Sequence, residues 1–279
     1  MLDSGAFSAW TKDAQVDIYK YIQFIKDHAH CIDHYFVLDV ISAKEERDAE
    51  AAAKATWENQ TIMEAEGLNP IPVFHAGEDL MWLREYIIKG HEYIGIGGLA
   101  MTSTGSRHPE LDRIFRTISD PQGYPQVKLH GFAITSLDTM ITFPWYSVDS
   151  TSWVLTSRFG TIYVPQWDGR DWDYSVMPWK IAVSVHNPKK DNEGQHVTTM
   201  KRWEQKIIYS YLKLKGLRMG HSEFDDDGNE IIHELGLCNH YVWRDRANII
   251  YFSDLEANFP TYPWPYQPKG TPPLGVSLR

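Results

Sequence analysis

Tyr93-Ile94-Gly95-Ile96-Gly97-Gly98-Leu99-Ala100 decides the reading of the fold, because it is a short apolar run closed by a glycine pair. Working outward, comparable runs occur at Tyr35–Ile41, Ile71–Phe74, Val127–Ile134, Phe143–Val148 and Thr161–Val164. Helix-period segments lie between them, at Asp13–Asp27, Ala43–Glu66, Glu78–Lys89 and Pro109–Ile118. Strands alternating with helices at this rhythm imply βα units and a parallel sheet. The residues closing the runs are Asp3, Asp39, His75, Gly97–Gly98, His130 and Asp149. In a (β/α)8 barrel such ends converge on one mouth, whereas a doubly wound sheet gathers its ligand residues near one switch point. Scattered polar strand ends favour the barrel.

The expected fold is therefore α/β, a TIM-like (β/α)8 barrel over residues 1–165. Seven strand candidates, one of them ending at Asp3, leave its first strand lacking or replaced. Either the chain start is truncated or a C-terminal segment closes the gap. Residues 166–279 read as a C-terminal α+β extension. It holds a strand at Lys180–His186, an amphipathic helix at Val197–Leu217 and a further helix at Tyr241–Asn258. The tail Pro260–Pro273, with six prolines in 14 residues, reads as an extended surface wrap.

Composition excludes several classes. With 279 residues, 43% hydrophobic and 23% charged, the chain is neither collagen-like, disordered nor a disulfide scaffold. Cys31 and Cys238 stand far apart, the pattern of a reduced, cytoplasmic chain. No apolar run reaches the length of a membrane span, so no membrane partner is expected. The net charge of −10 is wrong for a protein that coats nucleic acid, so a polyanion must meet a local patch. Lys180–Arg218 supplies one, with nine Lys or Arg against three acids. Lys201, Arg202, Lys206 and Lys213 are its candidate nucleic-acid contacts, by charge alone.

Cofactor and metal signals are weak. Gly95-Ile96-Gly97-Gly98-Leu99-Ala100 fits a dinucleotide-loop pattern, but on a strand that is not the chain's first. A glycine pair at a strand end also lets a flat ligand approach the backbone closely. His28, His30, Cys31 and His34 crowd one stretch, and His233, Cys238 and His240 another, without paired Cys-x2-Cys spacing. Asp225-Asp226-Asp227-Gly228 has its glycine too early for an EF-hand and reads as a turn. No metal and no cofactor are expected. The carboxylates matter most: two at a barrel mouth can divide labour as nucleophile and acid/base, with an adjacent aromatic stacking on a planar ligand.

Asp3-Ser4-Gly5-Ala6-Phe7 resembles the D-S-G-G-F/Y signature of the tRNA-guanine (queuine) transglycosylases, and Ile96-Gly97-Gly98-Leu99-Ala100 resembles their I-G-G-L-A segment. Asp39 and Asp149 follow in the order of the family's base-recognising and nucleophilic aspartates. The resemblance implies a barrel that exchanges guanine for a 7-deazaguanine, such as 7-cyano-7-deazaguanine. Asp149 would attack C1′ and form a covalent glycosyl-enzyme, and Asp3 would assist as second carboxylate. Asp39 would accept hydrogen bonds from the base, Gly98 N–H would donate to its carbonyl, and Phe7 would stack on it. Ser4, Gly97 and Leu99 would complete the pocket, with His75 where the family has Gln. The family's Cys-x-Cys-x2-Cys…His zinc site is absent. Compactness and that absence make the chain similar to the short paralogues of phages and bacterial islands that modify DNA. The resemblance thus implies DNA rather than tRNA as partner, host cytoplasm if phage-encoded, and room for a protein partner or homodimer. Two other readings stand beside it: another carboxylate-dependent barrel enzyme acting on a small metabolite, and a non-catalytic nucleic-acid-binding paralogue subunit.

Overall fold

The computed structural model describes residues 1–42, 48–99, 104–134, 136–189 and 195–268. It is mixed α/β, with a four-stranded parallel sheet and, among the described residues, nine α-helices. Two compact units share the chain. One comprises residues 1–149 and takes up 261–268; the other comprises residues 150–260. The sequence reading places the division at 165 instead.

In the first unit, β1 (Val73–His75), β2 (Tyr93–Gly97), β3 (Lys128–Gly131) and β4 (Ser147–Val148) pair in parallel, each with the next in chain order. Two isolated parallel bridges, Leu2 to Tyr35 and Phe36 to Ile71, continue the same order upstream. Six segments thus succeed one another side by side without reversal. Val73, Phe74, Ile94, Ile96 and Leu129 are buried, as strands covered on both faces require.

The intervening helices start where side chains satisfy the free backbone donors. Asp17 caps α2 (Ile18–Asp27), accepting from Tyr19 and Lys20 N–H, so the helix begins later than its apolar spacing suggests. Asp48 caps α3 (Ala49–Ala65), and Asp79 caps α4 (Leu80–Ile88). Residues 43–47, where the sequence predicts the start of the third helix, lie outside the described residues. A short α1 (Ala6–Thr11) precedes these, and α5 (Thr104–Ile118) and α6 (Leu137–Thr142) follow. The strand expected at Phe143–Val148 contracts to β4, because Pro144 has no N–H and Trp145 N–H turns back to Phe143 C=O. The proline-rich tail carries no regular element over 260–268, yet it buries Trp264 and Tyr266, and Tyr266 N–H donates to Gly123 C=O.

The second unit begins with α7 (Ser152–Arg158) and β5 (Thr161–Val164). A small hairpin follows, β6 (Gln166–Trp167) with β7 (Trp172–Asp173), and β8 (Trp179–Ala182) then pairs antiparallel with β5. The strand expected at Lys180–His186 is thus shorter. The helix expected at Val197–Leu217 splits into a 3-10 turn at Val197–Thr199 and α8 (Arg202–Leu214). β9 (His221–Phe224) and β10 (Glu230–Glu234) form an exposed hairpin before α9 (Tyr241–Ala257). Ile162, Val164, Ile181, Ile208, Tyr211 and Ala247 meet in this unit's core. Among the described residues, no helix is long and apolar enough to cross a membrane.

Candidate functional site

Consecutive parallel segments bring Asp3, Asp39, His75, His130 and Asp149 to one end of the first unit, all within or just beyond the C-terminal ends of their strands. Two histidine–carboxylate clusters occupy that end.

The first cluster is a buried chain. Ser4 Oγ donates to Asp39 Oδ1 at 2.7 Å, and His75 Nε2 faces Asp39 Oδ2 at 2.9 Å. His75 Nδ1 faces Glu78 Oε1 at 3.0 Å, while His75 N–H donates to Glu78 Oε2 at 3.1 Å. A carboxylate can only accept, so both ring nitrogens must carry protons and the ring is an imidazolium. Burial would lower its pKa, but hydrogen bonds and charge from Asp39 and Glu78 outweigh that and push it up to about 10. The turn bearing Glu78 is itself pinned, since Arg113 Nη2 donates to Glu78 C=O and Gly77 N–H donates to Glu110.

The second cluster is incompletely paired. His130 Nδ1 lies 2.6 Å from Ser147 Oγ, which lies 2.6 Å from Tyr93 OH. Its other nitrogen, Nε2, is buried, has no hydrogen-bond partner among the described residues, and stands 3.9 Å from Asp149 Oδ2. Asp149 is 55% exposed in its side chain, against 4% for His130. Ala133 N–H donates to Asp149 Oδ1 at 2.9 Å, from a left-handed residue with φ 58°. That conformation costs a non-glycine residue energy and aims the donor at the carboxylate. Burial alone would raise the Asp149 pKa; His130 and the Ala133 N–H hold it below the ordinary aspartate value. Asp3 moves the other way. Desolvation raises it first, the Asp39 charge next, and the Asp149 charge adds to both against two backbone hydrogen bonds.

The glycines of β2 serve these clusters. A Cβ on Gly97 would come within 2.6 Å of His75 Cδ2. A Cβ on Gly95 would come within 2.8 Å of Phe132 and 3.0 Å of Phe36, the rings that pack on His130. Gly97 therefore makes room for the His75 ring, and Gly95 for the two phenylalanine rings that pack on His130. Gly98, at φ 77°, turns the chain out of the strand.

Several expected contacts stand differently from their sequence reading. The Ser4 hydroxyl is committed to Asp39, and it also accepts from Ala6 N–H. Both nitrogens of His75 are engaged by carboxylates, so the ring has no donor left for a base. Leu99 is 1% exposed and belongs to the core, so its side chain does not line a pocket. Phe7, on α1, is 47% exposed and stacks against Trp10. A cavity of about 750 Å³ opens beside Asp39, lined by Ala6, Ala9, Trp10, Leu38, Val40 and Asn59 among others. Glu78, Tyr93 and Ser147 escaped sequence reasoning, and His130 entered it only as a strand end. The signal was there in part, since Glu78 follows His75 by three residues as Asp149 follows Ser147 by two. In the second unit, Lys201, Arg202, Lys206 and Lys213 are exposed along α8, none of them in an ion pair among the described residues. His28, His30, Cys31 and His34 form no metal-type group among the described residues.

No family model and no curated protein matches the chain.

Proposed function

We propose that the chain is a base-exchange glycosyltransferase of the tRNA-guanine transglycosylase type, built on a (β/α)8 barrel. The carrying observation is the meeting of Asp3, Asp39 and Asp149, from three separate strand ends, with Asp3 displaced toward its acid form and Asp149 toward its anion. Carboxylates whose environments push them apart divide into proton carrier and nucleophile. The unreversed order of six parallel segments supports the barrel, since a doubly wound sheet reverses.

Asp149 Oδ2 attacks C1′ of the target nucleoside, and the C1′–N9 bond breaks with its electron pair leaving on guanine. Asp3 delivers the proton that neutralises the departing base. A 7-deazaguanine then attacks the glycosyl-aspartate through N9, losing its proton to Asp3 and freeing Asp149. Such carboxylate attack on an oxocarbenium-like centre is established glycosidase chemistry. Reaching C1′ requires the nucleotide to leave its stack. Asp39 still has lone pairs beyond those used by Ser4 and His75, enough to accept from the base's N1–H and amine. Gly98, left-handed at the strand end, is the backbone donor assigned to the carbonyl edge, and Phe7 offers an exposed face for stacking. DNA is the favoured polymer, because the tRNA enzymes' cysteine motif is missing and α8 with its N-cap carries cations in no ion pair among the described residues. Cytoplasm is the compartment this reading implies, host cytoplasm if the chain is phage-encoded.

The test is an exchange assay with duplex DNA, single-stranded DNA or tRNA and 7-cyano-7-deazaguanine, digested to nucleosides for mass spectrometry. Modified nucleoside from one polymer, abolished by Asp149→Ala, supports the reading. No product from any polymer, with the folded chain, overturns it in favour of a small-metabolite enzyme.

A further inference from the structure

The β9–β10 hairpin of the second unit holds a cluster that the proposed reaction does not use. His221 and Glu223 alternate on β9 and share one of its faces. Ile231 pairs with Glu223 and Ile232 with Ser222, so His233 returns to the face of Glu223. A bulge between Ile232 and Glu234 leaves His233 unpaired in the ladder and re-aims it across to β9. This is why His233 meets His221 and Glu223 rather than Cys238 and His240, its neighbours in sequence.

The two contacts end on different oxygens of Glu223, and both are longer than hydrogen bonds. His221 Nε2 is 3.6 Å from Glu223 Oε1, and His233 Nε2 is 3.4 Å from Glu223 Oε2. Hydrogen bonds from ring N–H to carboxylate settle nearer 2.7–2.9 Å. Donors around a tetrahedral zinc at about 2.0–2.1 Å sit about 3.3–3.4 Å apart. The three donor atoms lie within 4.8 Å of one another, and the two imidazoles stack at 5.0 Å with 25° between planes. Both ends of the hairpin are pinned. At the turn, Asn229 Nδ2 donates to Asp225 Oδ2 and Gly228 N–H to Asp225 C=O. At the base, Asn239 Nδ2 donates to Ser222 Oγ and Glu234 C=O. The segment 221–234 carries six carboxylates and no Lys or Arg, which draws a cation.

We propose that His221, Glu223 and His233 bind a divalent transition metal of the zinc class, with a fourth position open to water or an anionic oxygen. Two imidazoles select against calcium and magnesium, which take oxygen donors. The donors share nothing with a cysteine-rich structural site, and the site stands whether or not the base-exchange reading does.

The experiment titrates zinc chloride into the metal-stripped full-length chain by calorimetry, with cobalt absorption in parallel. The expected result is one saturable equivalent present in the native chain and missing from His221→Ala and His233→Ala, with Glu223→Gln weakening it by about tenfold. Cobalt gives the visible band of a tetrahedral site in the native chain only. All three side chains are exposed, so unchanged circular dichroism verifies the fold of each variant. Equal zinc stoichiometry and affinity in native and histidine variants would overturn the site and leave three ion-paired side chains. Magnesium serves as the control and should give no saturable heat.

Discussion

His75 and His130 stand on the two strands that flank β2, both buried and both facing a carboxylate, and they are satisfied in opposite ways. His75 is saturated: Asp39 on one nitrogen at 2.9 Å, Glu78 on the other at 3.0 Å. His130 is half-satisfied, with Ser147 on Nδ1 and only a 3.9 Å approach to an exposed Asp149 on Nε2. A saturated buried ion group has nothing left to give a substrate; it fixes the carboxylate beside it. An unsatisfied buried nitrogen next to an exposed carboxylate is costly unless something comes to it. Under the proposed reaction, the difference would separate the part that holds a ligand from the part that reacts with it.

The hardest way to break the comparison is to remove the proposed nucleophile. Asp149→Ala should abolish exchange, by more than about 10⁴-fold in kcat, while leaving the folded state intact because the side chain is exposed. Mass spectrometry of nucleosides and a thermal melt check both halves. The next largest effect falls on stability. His75→Gln strands Asp39 and Glu78 as buried carboxylates without their cation, at about 3–5 kcal/mol. Urea denaturation measures it.

His75 also sets a pH signature. Its pKa rises from the ordinary histidine value to about 10 on folding, so the folded state holds a proton the unfolded chain has lost. Stability from this group is complete below about pH 6.5 and is lost as pH rises through about 10. The native chain should lose a few kcal/mol of unfolding free energy across that window relative to His75→Gln. Equal slopes for the two proteins would refute the clamp.

Much of this site was legible in sequence, for a physical reason. Short apolar runs closed by a polar residue mark strand ends, so Asp3, Asp39, His75, His130 and Asp149 could be placed at one end without coordinates. Partnership was not legible. Glu78 reads as the first residue of a helix, yet it folds back on His75 because Asp79 takes the cap. Gly97 reads with Gly98 as a ligand-facing pair, yet Gly97 clears space for the His75 ring, as Gly95 does for Phe36 and Phe132. Leu99 belongs to the core, which a motif cannot reveal. Of the β9–β10 hairpin only the turn at Asp225–Gly228 was legible, since His221–Phe224 and Glu230–Glu234 are mostly exposed and no burial pattern imposes an apolar alternation.

Smaller changes sharpen the contrast. His130→Gln keeps a donor near Asp149 but removes the ring, and should lower kcat by about 10–100-fold with KM little changed. The same substitution at position 75 should instead act mainly through stability and base affinity. Steady-state kinetics on both variants separates the two roles. Least of all, Ala133→Gly relieves a left-handed alanine and should shift stability by no more than about 1 kcal/mol either way. Its measurable consequence is a loosened N–H donor, read as a rise in the Asp149 pKa.

The division of labour itself rests on the order in which two carboxyls titrate. Carbon-13 NMR of the side-chain carboxyls, assigned with Asp3→Asn and Asp149→Asn, measures that order directly. Asp149 should titrate below the ordinary aspartate range and Asp3 above it, with Asp3 falling when Asp149 is neutralised. Coincident titration, or Asp149 above Asp3, would contradict the assignment of nucleophile and proton carrier.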